Sequence, residues 1–291
     1  MNNGRFDRQI RLFGKEGQAK IRACNVVVVG VGGIGTHVVQ QLALLGIGKL
    51  TLIDAEEADE SNRNRYIGLK HEDPVSGMRK VDLGERIASE IDPEIEIVKI
   101  FNTVICEPAF DAIIETDYVF GCVDRDGVRL IINELSSAYS RPYIDLATEI
   151  IAGKSITYGG HACVNLRGKG CLVCLDLIDT AAAGRDLAGP KIEATEEALY
   201  GVNGQYLGST GPSVVSLNGL IASLGVTEFM VSATQLREPI RLAKYYGTAG
   251  KVVVSVDTPQ SDCYYCRSIR GAREAADVKR YIREGIGSFL R

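Results

Sequence analysis

The sequence predicts a doubly wound α/β fold, a mostly parallel sheet with helices on both faces, continued by a differently built C-terminal part. Three observations carry that prediction. Val26 to Val29 run without alternation into Gly30-Val-Gly32-Gly33-Ile-Gly35, the pattern of a parallel strand buried on both faces that turns tightly into a helix. Strand and helix patterns then alternate to about residue 147. Beyond that point the alternation stops, and two Cys-x-x-Cys pairs follow, Cys171/Cys174 and Cys263/Cys266.

Taken in order, residues 5–22 carry charges around an apolar stripe and predict one or two short amphipathic helices ahead of the first strand. A helix follows the glycine turn, and Lys49 to Asp54 reads as the second strand. Ala55 to Glu60 is irregular and acidic and leads into Ser61-Asn62-Arg63-Asn64-Arg65. From about Gly77 a helical period returns, with Val81, Leu83, Ile87, Ala88 and Ile91 on one face. Glu94 to Phe101 alternates as a strand does, Cys106 falls in a loop, and Tyr118 to Val123 is a further strand ending at Asp124. Val128, Leu130, Ile131, Ile132 and Leu135 mark the next helix, and Pro142 to Ala147 a fifth strand.

The second half changes character. Ser155 to Leu166 predicts a strand or hairpin. Residues 176–210 have weak periodicity and many small and polar residues, a long loop with a short helical patch at Thr195 to Leu199. Val214 to Met230 is apolar on most faces, as a buried helix or a subunit interface is. Strands at 241–246 and 251–256 and a charged amphipathic helix close the chain.

The glycine turn carries chemistry. Glycines at 30, 32 and 35, with Gly33 between them, permit a tight turn and let the helix aim its N-terminal amides at a phosphate. Asp54, 19 residues after Gly35 and at a strand end, is placed to accept hydrogen bonds from ribose hydroxyls. This Rossmann-like unit indicates a nucleotide without saying which, and the same glycines also serve plain packing. Arg63 and Arg65 follow Asp54 by nine and eleven residues, and Arg79 and Lys80 open the next helix. They read either as a phosphate clamp beside the ribose or as a solvated basic face. The clamp points to a triphosphate whose phosphates take part in the chemistry. With no linker in sight, one unit is expected over 1–291: helices over 1–24, a nucleotide-binding half over 25–150 and a second half over 151–291.

Composition narrows the classes. A net charge of −4 argues against a general nucleic-acid or anionic-membrane footprint. The charged start, Met1-Asn-Asn-Gly-Arg-Phe-Asp-Arg8, lacks the apolar core of a signal peptide, and the compact apolar part of 198–227 reads as too short to span a bilayer. A soluble, cytoplasmic protein is expected. Only three histidines, at 37, 71 and 161, make a His-based hydrolase a poor fit.

Eight cysteines without a secretion signal do not suggest a disulfide framework. Cys171, Cys174, Cys263 and Cys266 can supply four thiolates to one tetrahedral zinc, a closed structural site. The 88 residues between the pairs exceed the spacing of a local zinc ribbon. A redox role needs a Cys-x-x-Cys at a helix start after a strand, and neither pair has that setting. Zinc would staple the hairpin before the long loop to the C-terminal strands.

Together these motifs resemble the ThiF/MoeB/HesA adenylyltransferases, relatives of the ubiquitin-activating enzymes. The resemblance spans Arg5-Phe-Asp-Arg8-Gln9, the glycine turn, Asp54, Ser61-Asn62-Arg63-Asn64-Arg65, Lys80, Gly121-Cys-Val-Asp124 and both cysteine pairs. It implies binding of ATP and magnesium and adenylation of the C-terminal glycine of a small ubiquitin-like or sulfur-carrier protein. It further implies that Asp54 holds the ribose, that Asn62, Arg65 and Lys80 hold phosphates, and that Asp124 stands by magnesium. Arg8 resembles the arginine that reaches into the partner's site in this dimeric family, so a homodimer is implied.

Tyr66 departs from the usual Gln, and Arg125 from a small polar residue. No cysteine lies between Cys174 and Cys263, where many relatives carry a thioester-forming one. The other functional readings are a tRNA-modifying adenylating dehydratase, an inactive half of a dimer, and an NAD dehydrogenase. The retained Arg65, Lys80 and Asp124 speak against the second, and the third lacks a hydride-site acid or base.

Overall fold

The structure, a computed structural model, describes residues 4–151, 155–166, 170–188, 212–256 and 260–286. Among them the strands are β1 (Asn25–Val29), β2 (Lys49–Ile53), β3 (Glu96–Ile100), β4 (Tyr118–Gly121), β5 (Tyr143–Ile151), β6 (Thr157–Asn165), β7 (Leu242–Tyr246) and β8 (Lys251–Val254). They form one sheet in the order β3-β2-β1-β4-β5-β6-β7-β8. The first five pair in parallel, while β6, β7 and β8 add antiparallel.

The valine run explains why β1 is central. Val27 and Val29 belong to the core on one face, Val26 and Val28 to the core on the other, as the two-residue period of a strand requires. Helices α1 (Asp7–Ala23), α2 (Gly33–Leu45), α3 (Lys80–Ile91) and α7 (Val215–Thr234) close the Val26 side. On the Val27 side lie α4 (Glu107–Glu115), α5 (Asp126–Ala138) and α6 (Thr180–Ala188), together with the cysteine pairs. The doubly wound, mostly parallel expectation therefore holds.

The N-terminal segment is both one helix and two. Gly14 has φ 74° and ψ 170°, a conformation open to glycine, and bends α1 at its middle. Arg5 donates to Ala43 O at 3.2 Å, Gln9 donates to Leu45 O at 3.0 Å, and Phe6 is buried. These contacts satisfy carbonyls at the C-terminal end of α2 and seat α1 on the fold. Arg8 is exposed and makes no hydrogen bond or ion pair with any described residue.

Three expectations need correction and one helix is added. Cys106 does fall in a loop between elements, at the N-cap of α4, a helix absent from the sequence reading, whose Pro108 occupies the first turn and whose Ala109, Phe110 and Ile113 are buried. The segment taken as a long loop contains α6, whose start is capped by Asp179 Oδ1 accepting from Ala181 and Ala182 N–H at 2.8 and 3.0 Å. The patch at Thr195 to Leu199 lies outside the described residues. Helix α7 is 20 residues long, long and apolar enough by composition to cross a membrane, whereas its segment read as too short; half of it is buried against α1, α2, β5 and β6, as in a core helix. The closing helix is only a 3-10 turn at Arg273–Ala276 and a short helix at Arg280–Arg283, interrupted where Asp277 takes a left-handed φ of 50°.

Candidate functional site

In the order β3-β2-β1-β4-β5, the chain turns one way after β1 and the other way at β4, so a crevice opens beyond the C-terminal ends of those two strands. A cleft of about 1090 Å³ fills it. That is at or above the upper end of ordinary ligand sites, roughly 300–1,000 Å³, and leaves room for a nucleotide and part of a second substrate. Gly30, Gly32 and Gly33 line it, as do Asp54, Arg65, Lys80 and Asp124.

The glycine turn is close-packed. At Gly30, where φ is 87°, an added Cβ would lie 2.6 Å from Cys122 O, on the segment leaving β4. Gly35 does not line the cleft; a Cβ there would lie 2.0 Å from Gly30 O, so its role is to let α2 close on the turn. Asp54 binds the turn directly: Oδ2 accepts from Val31 N–H at 2.7 Å and Oδ1 from Glu56 N–H at 2.9 Å. Burial raises its pKa from the ordinary carboxylate value, against the pull of Lys80 and those two amides. Each oxygen keeps a lone pair for a ribose hydroxyl.

Lys80 is buried at the first turn of α3, its Nζ against Glu56 Oε2 and 5.5 Å from the centre of the Tyr66 ring. Burial works against its charge, but Asp54, Tyr66 and Glu56 outweigh burial and hold its pKa above the ordinary lysine value. Arg65 lies over the same ring, 5.4 Å from its centre, and its Nη1 donates to Ser61 O. Of the four cations read as a clamp, Arg65 and Lys80 reach the cleft; Arg63 and Arg79 do not. Arg63 instead donates to Lys70 O and Asp73 O at 2.6 and 2.9 Å, and Arg79 stacks on Phe101 at 4.4 Å. Asn62 also lies outside the cleft walls, its Oδ1 accepting from Asp59 N–H at 3.1 Å in the 3-10 turn that carries Arg65.

Asp124 is exposed in the cleft just past β4 and makes no hydrogen bond or ion pair with any described residue, which leaves its carboxylate open to a cation. Arg125 beside it is likewise unpaired among the described residues. Helix α6 docks on the start of α5 through Asp186 Oδ2, which accepts from Gly127 N–H at 2.9 Å, and brings Asp179 to the rim.

Three cleft features were missed in the sequence. Tyr66 is the floor under both cations. Asn218 on α7 presses its Nδ2 on the glycine turn, where a Cβ at Gly33 would lie 2.4 Å away, and its Oδ1 accepts from Thr148 Oγ1 at 3.3 Å. An amide inside the apolar 214–230 run was its signal. The third is Asp145, fully buried behind Arg129 and His161, both of which line the cleft.

On the far side of α5, the sulfurs of Cys171, Cys174, Cys263 and Cys266 all lie within 4.8 Å of one another. Three of the separations are 3.5, 3.7 and 3.9 Å. A tetrahedral zinc with bonds of ~2.3 Å needs sulfur–sulfur edges of about 3.8 Å, so the donor set fits zinc. The isolated thiols are not activated: burial pushes Cys24 up to about 12 and raises Cys106, Cys122 and Cys163 as well.

Residues 6–263 match the ThiF family over most of the chain. The chain belongs to the ThiF family. It is 30% identical over 174 residues to the adenylyltransferase and sulfurtransferase MOCS3 of Drosophila yakuba, covering 59% of this chain and 36% of that protein. It is 27% identical over 174 residues to the HesA protein of Leptolyngbya boryana, covering 59% and 60%. The ThiF-family chain thus spans about a third of the length of MOCS3 in that alignment. Its fold is that of E. coli MccB, solved with ATP: TM-score 0.69 at 19% identity, covering 91% of this chain and 75% of that one. At that identity the likeness shows the fold alone.

Proposed function

We propose that this ThiF-family chain is an ATP-dependent adenylyltransferase that activates the C-terminal glycine of a small ubiquitin-like or sulfur-carrier protein. The observation that carries the reading is the convergence of the glycine turn, Asp54, Arg65 and Lys80 on one cleft at the point where the sheet reverses its winding. The names of MOCS3 and of the MccB–ATP structure support it.

The residue types suit the reaction. A carboxylate is already a nucleophile, so attack on the α-phosphorus needs no base. One bond forms between the carboxylate oxygen and that phosphorus; the bond to the bridging oxygen breaks, and pyrophosphate leaves with the electron pair. The protein must hold the line of attack and neutralise charge on the α-phosphate and departing pyrophosphate. Lys80, fixed as a cation, and Arg65 supply that, while Asp54 orients the ribose. Asp124 would hold magnesium, which when bound supplies further neutralisation of the phosphates. Arg8, exposed and outside the lining of its own cleft, would complete a partner's site in a homodimer. With every isolated thiol raised, the reaction ends without a loop-cysteine thioester. Zinc on the four cysteines is structural, and thiolate ligands of this kind suit the reducing cytoplasm.

The test is carrier-dependent ATP–pyrophosphate exchange with a panel of small proteins ending in Gly. Exchange that requires both ATP and one such carrier is expected; its absence across the panel would overturn the reading.

A further inference from the structure

The cleft extends past the nucleotide side to a cluster that adenylation leaves unused. Asp145 is fully buried and surrounded by donors. Its Oδ1 accepts from Arg129 Nε at 3.1 Å and from Tyr143 OH at 2.8 Å; its Oδ2 accepts from Arg129 Nη2 at 2.6 Å and lies 2.9 Å from His161 Nε2. Burial alone would favour the neutral acid, but the Arg129 guanidinium and His161 hold the group well below the usual carboxylate range. Nε2 also lies 3.3 Å from Arg129 Nη2, but its shorter contact is to an ionised carboxylate, which only accepts, and that contact assigns the hydrogen to Nε2. In the neutral ring Nδ1 is then the basic atom. Nδ1 makes no hydrogen bond with any described residue, and His161 lines the cleft. The position is tied to the reaction centre. The guanidinium that grips Asp145 also donates to Asp126 Oδ1 at 2.7 Å, two residues beyond Asp124.

This is the arrangement of a base oriented by a buried acid. The attack that forms an acyl-adenylate has no use for one. A later step does. A thiolate or persulfide arrives already deprotonated and needs no base. An amine must shed a proton as it becomes an amide. Resting on the adenylation reading above, we propose that His161 takes the proton released when a primary amine attacks the acyl-adenylate, so that this site completes amide formation. The amine nitrogen bonds to the acyl carbon, and the bond from that carbon to the phosphate oxygen breaks. AMP leaves with the electron pair, and the proton passes to His161 Nδ1.

The experiment uses the full chain, ATP and a Gly-ended carrier that supports exchange. Nα-acetyl-lysine amide is the probe amine; hydroxylamine, unprotonated at neutral pH and reactive enough to attack an acyl-adenylate and shed its proton to water, is the nucleophile that does not depend on an enzyme base. His161→Gln places an amide N–H where Nε2 stood, so Asp145 keeps its donor while the basic nitrogen is gone. Exchange by the variant reports an intact fold and adenylation site. The expected result is that wild type forms the amide and that the variant's amide formation falls about 10²–10⁴-fold relative to its exchange, with hydroxamate formation retained. Three results would overturn the proposal: no amide from wild type despite exchange, an unchanged ratio in the variant, or hydroxamate or exchange falling in step with the amide. Absence of exchange with every carrier strikes the adenylation reading itself, and this proposal with it, and is told apart by that readout.

Discussion

Lys80 keeps its charge although burial works against it. Asp54, Tyr66 and Glu56 together hold the ammonium at the base of the cleft, and Arg65 shares the Tyr66 ring with it. Charge fixed before substrate arrives needs no rearrangement in the transition state, and removing one such donor costs roughly 10²–10³ in turnover. Lys80→Ala and Arg65→Ala are therefore expected to lower carrier-dependent exchange by about that factor while the far-ultraviolet circular dichroism stays native. Wild-type rates in both soluble variants would remove them from the phosphate site. At this scale the sequence was legible where a residue type has one use in its setting, as with Asp54 at a strand end. It was not legible at Arg63, whose guanidinium is consumed by the carbonyls of its own loop. Nor was it at Tyr66, whose value is the contact with two cations distant in direction though not in sequence.

The loop that carries Arg65 is stitched to α3 chiefly through Asp73. Asp73 accepts from Arg86 Nη1 and Nη2 at 2.8 and 2.6 Å and from Lys70 N–H at 2.7 Å, and the Arg86 bonds depress its pKa from 3.8 to about 2. A depressed folded-state pKa means stability that is fully present above the unfolded value and lost as pH falls through the folded one. That contribution is about 2 kcal/mol. Denaturant unfolding should show Asp73→Asn destabilised by about that amount at pH 6, with the difference from wild type shrinking below about pH 4 and gone by about pH 1. A difference that persists at about pH 1 would assign the effect elsewhere. Elements with a clear pattern were plain in the sequence: β1 is an apolar run buried on both faces, and α2, α3 and α5 each bury a regular stripe. Helix α4 was missed because its nine residues bury only Ala109, Phe110 and Ile113. Helix α6 was missed because its alanines make no stripe; its order comes from Asp179 at its start and from its own Asp186 binding Gly127 on α5, contacts invisible to periodicity.

Across the whole molecule two junctions matter, one between distant parts of the chain and one proposed between copies of it. Elemental analysis is expected to give one zinc per chain, lost in Cys171→Ser/Cys263→Ser. Such sites contribute roughly 10–16 kcal/mol in small zinc-binding peptides, so chelation should lower the melting temperature and expose β6 to β8 first in hydrogen exchange. Metal-free protein of unchanged stability would refute this. For the proposed homodimer, Arg8→Ala mixed with Lys80→Ala should recover exchange, since one hybrid site is then complete; no recovery after proven subunit exchange would count against Arg8 acting across the interface. The four-cysteine junction also imposes an order in time. Every parallel pairing is made by residues before 152, whereas β6 finds β7 only after some eighty more residues, and Cys174 finds Cys266 only after some ninety, have been synthesised. Chains emerge N-terminus first and fold as they emerge. The nucleotide side can therefore assemble on the ribosome while β6 still waits beside β5 as an open edge. That interval is when the nascent chain is most exposed to pairing with a neighbour, and the arrival of β7 beside β6 ends it.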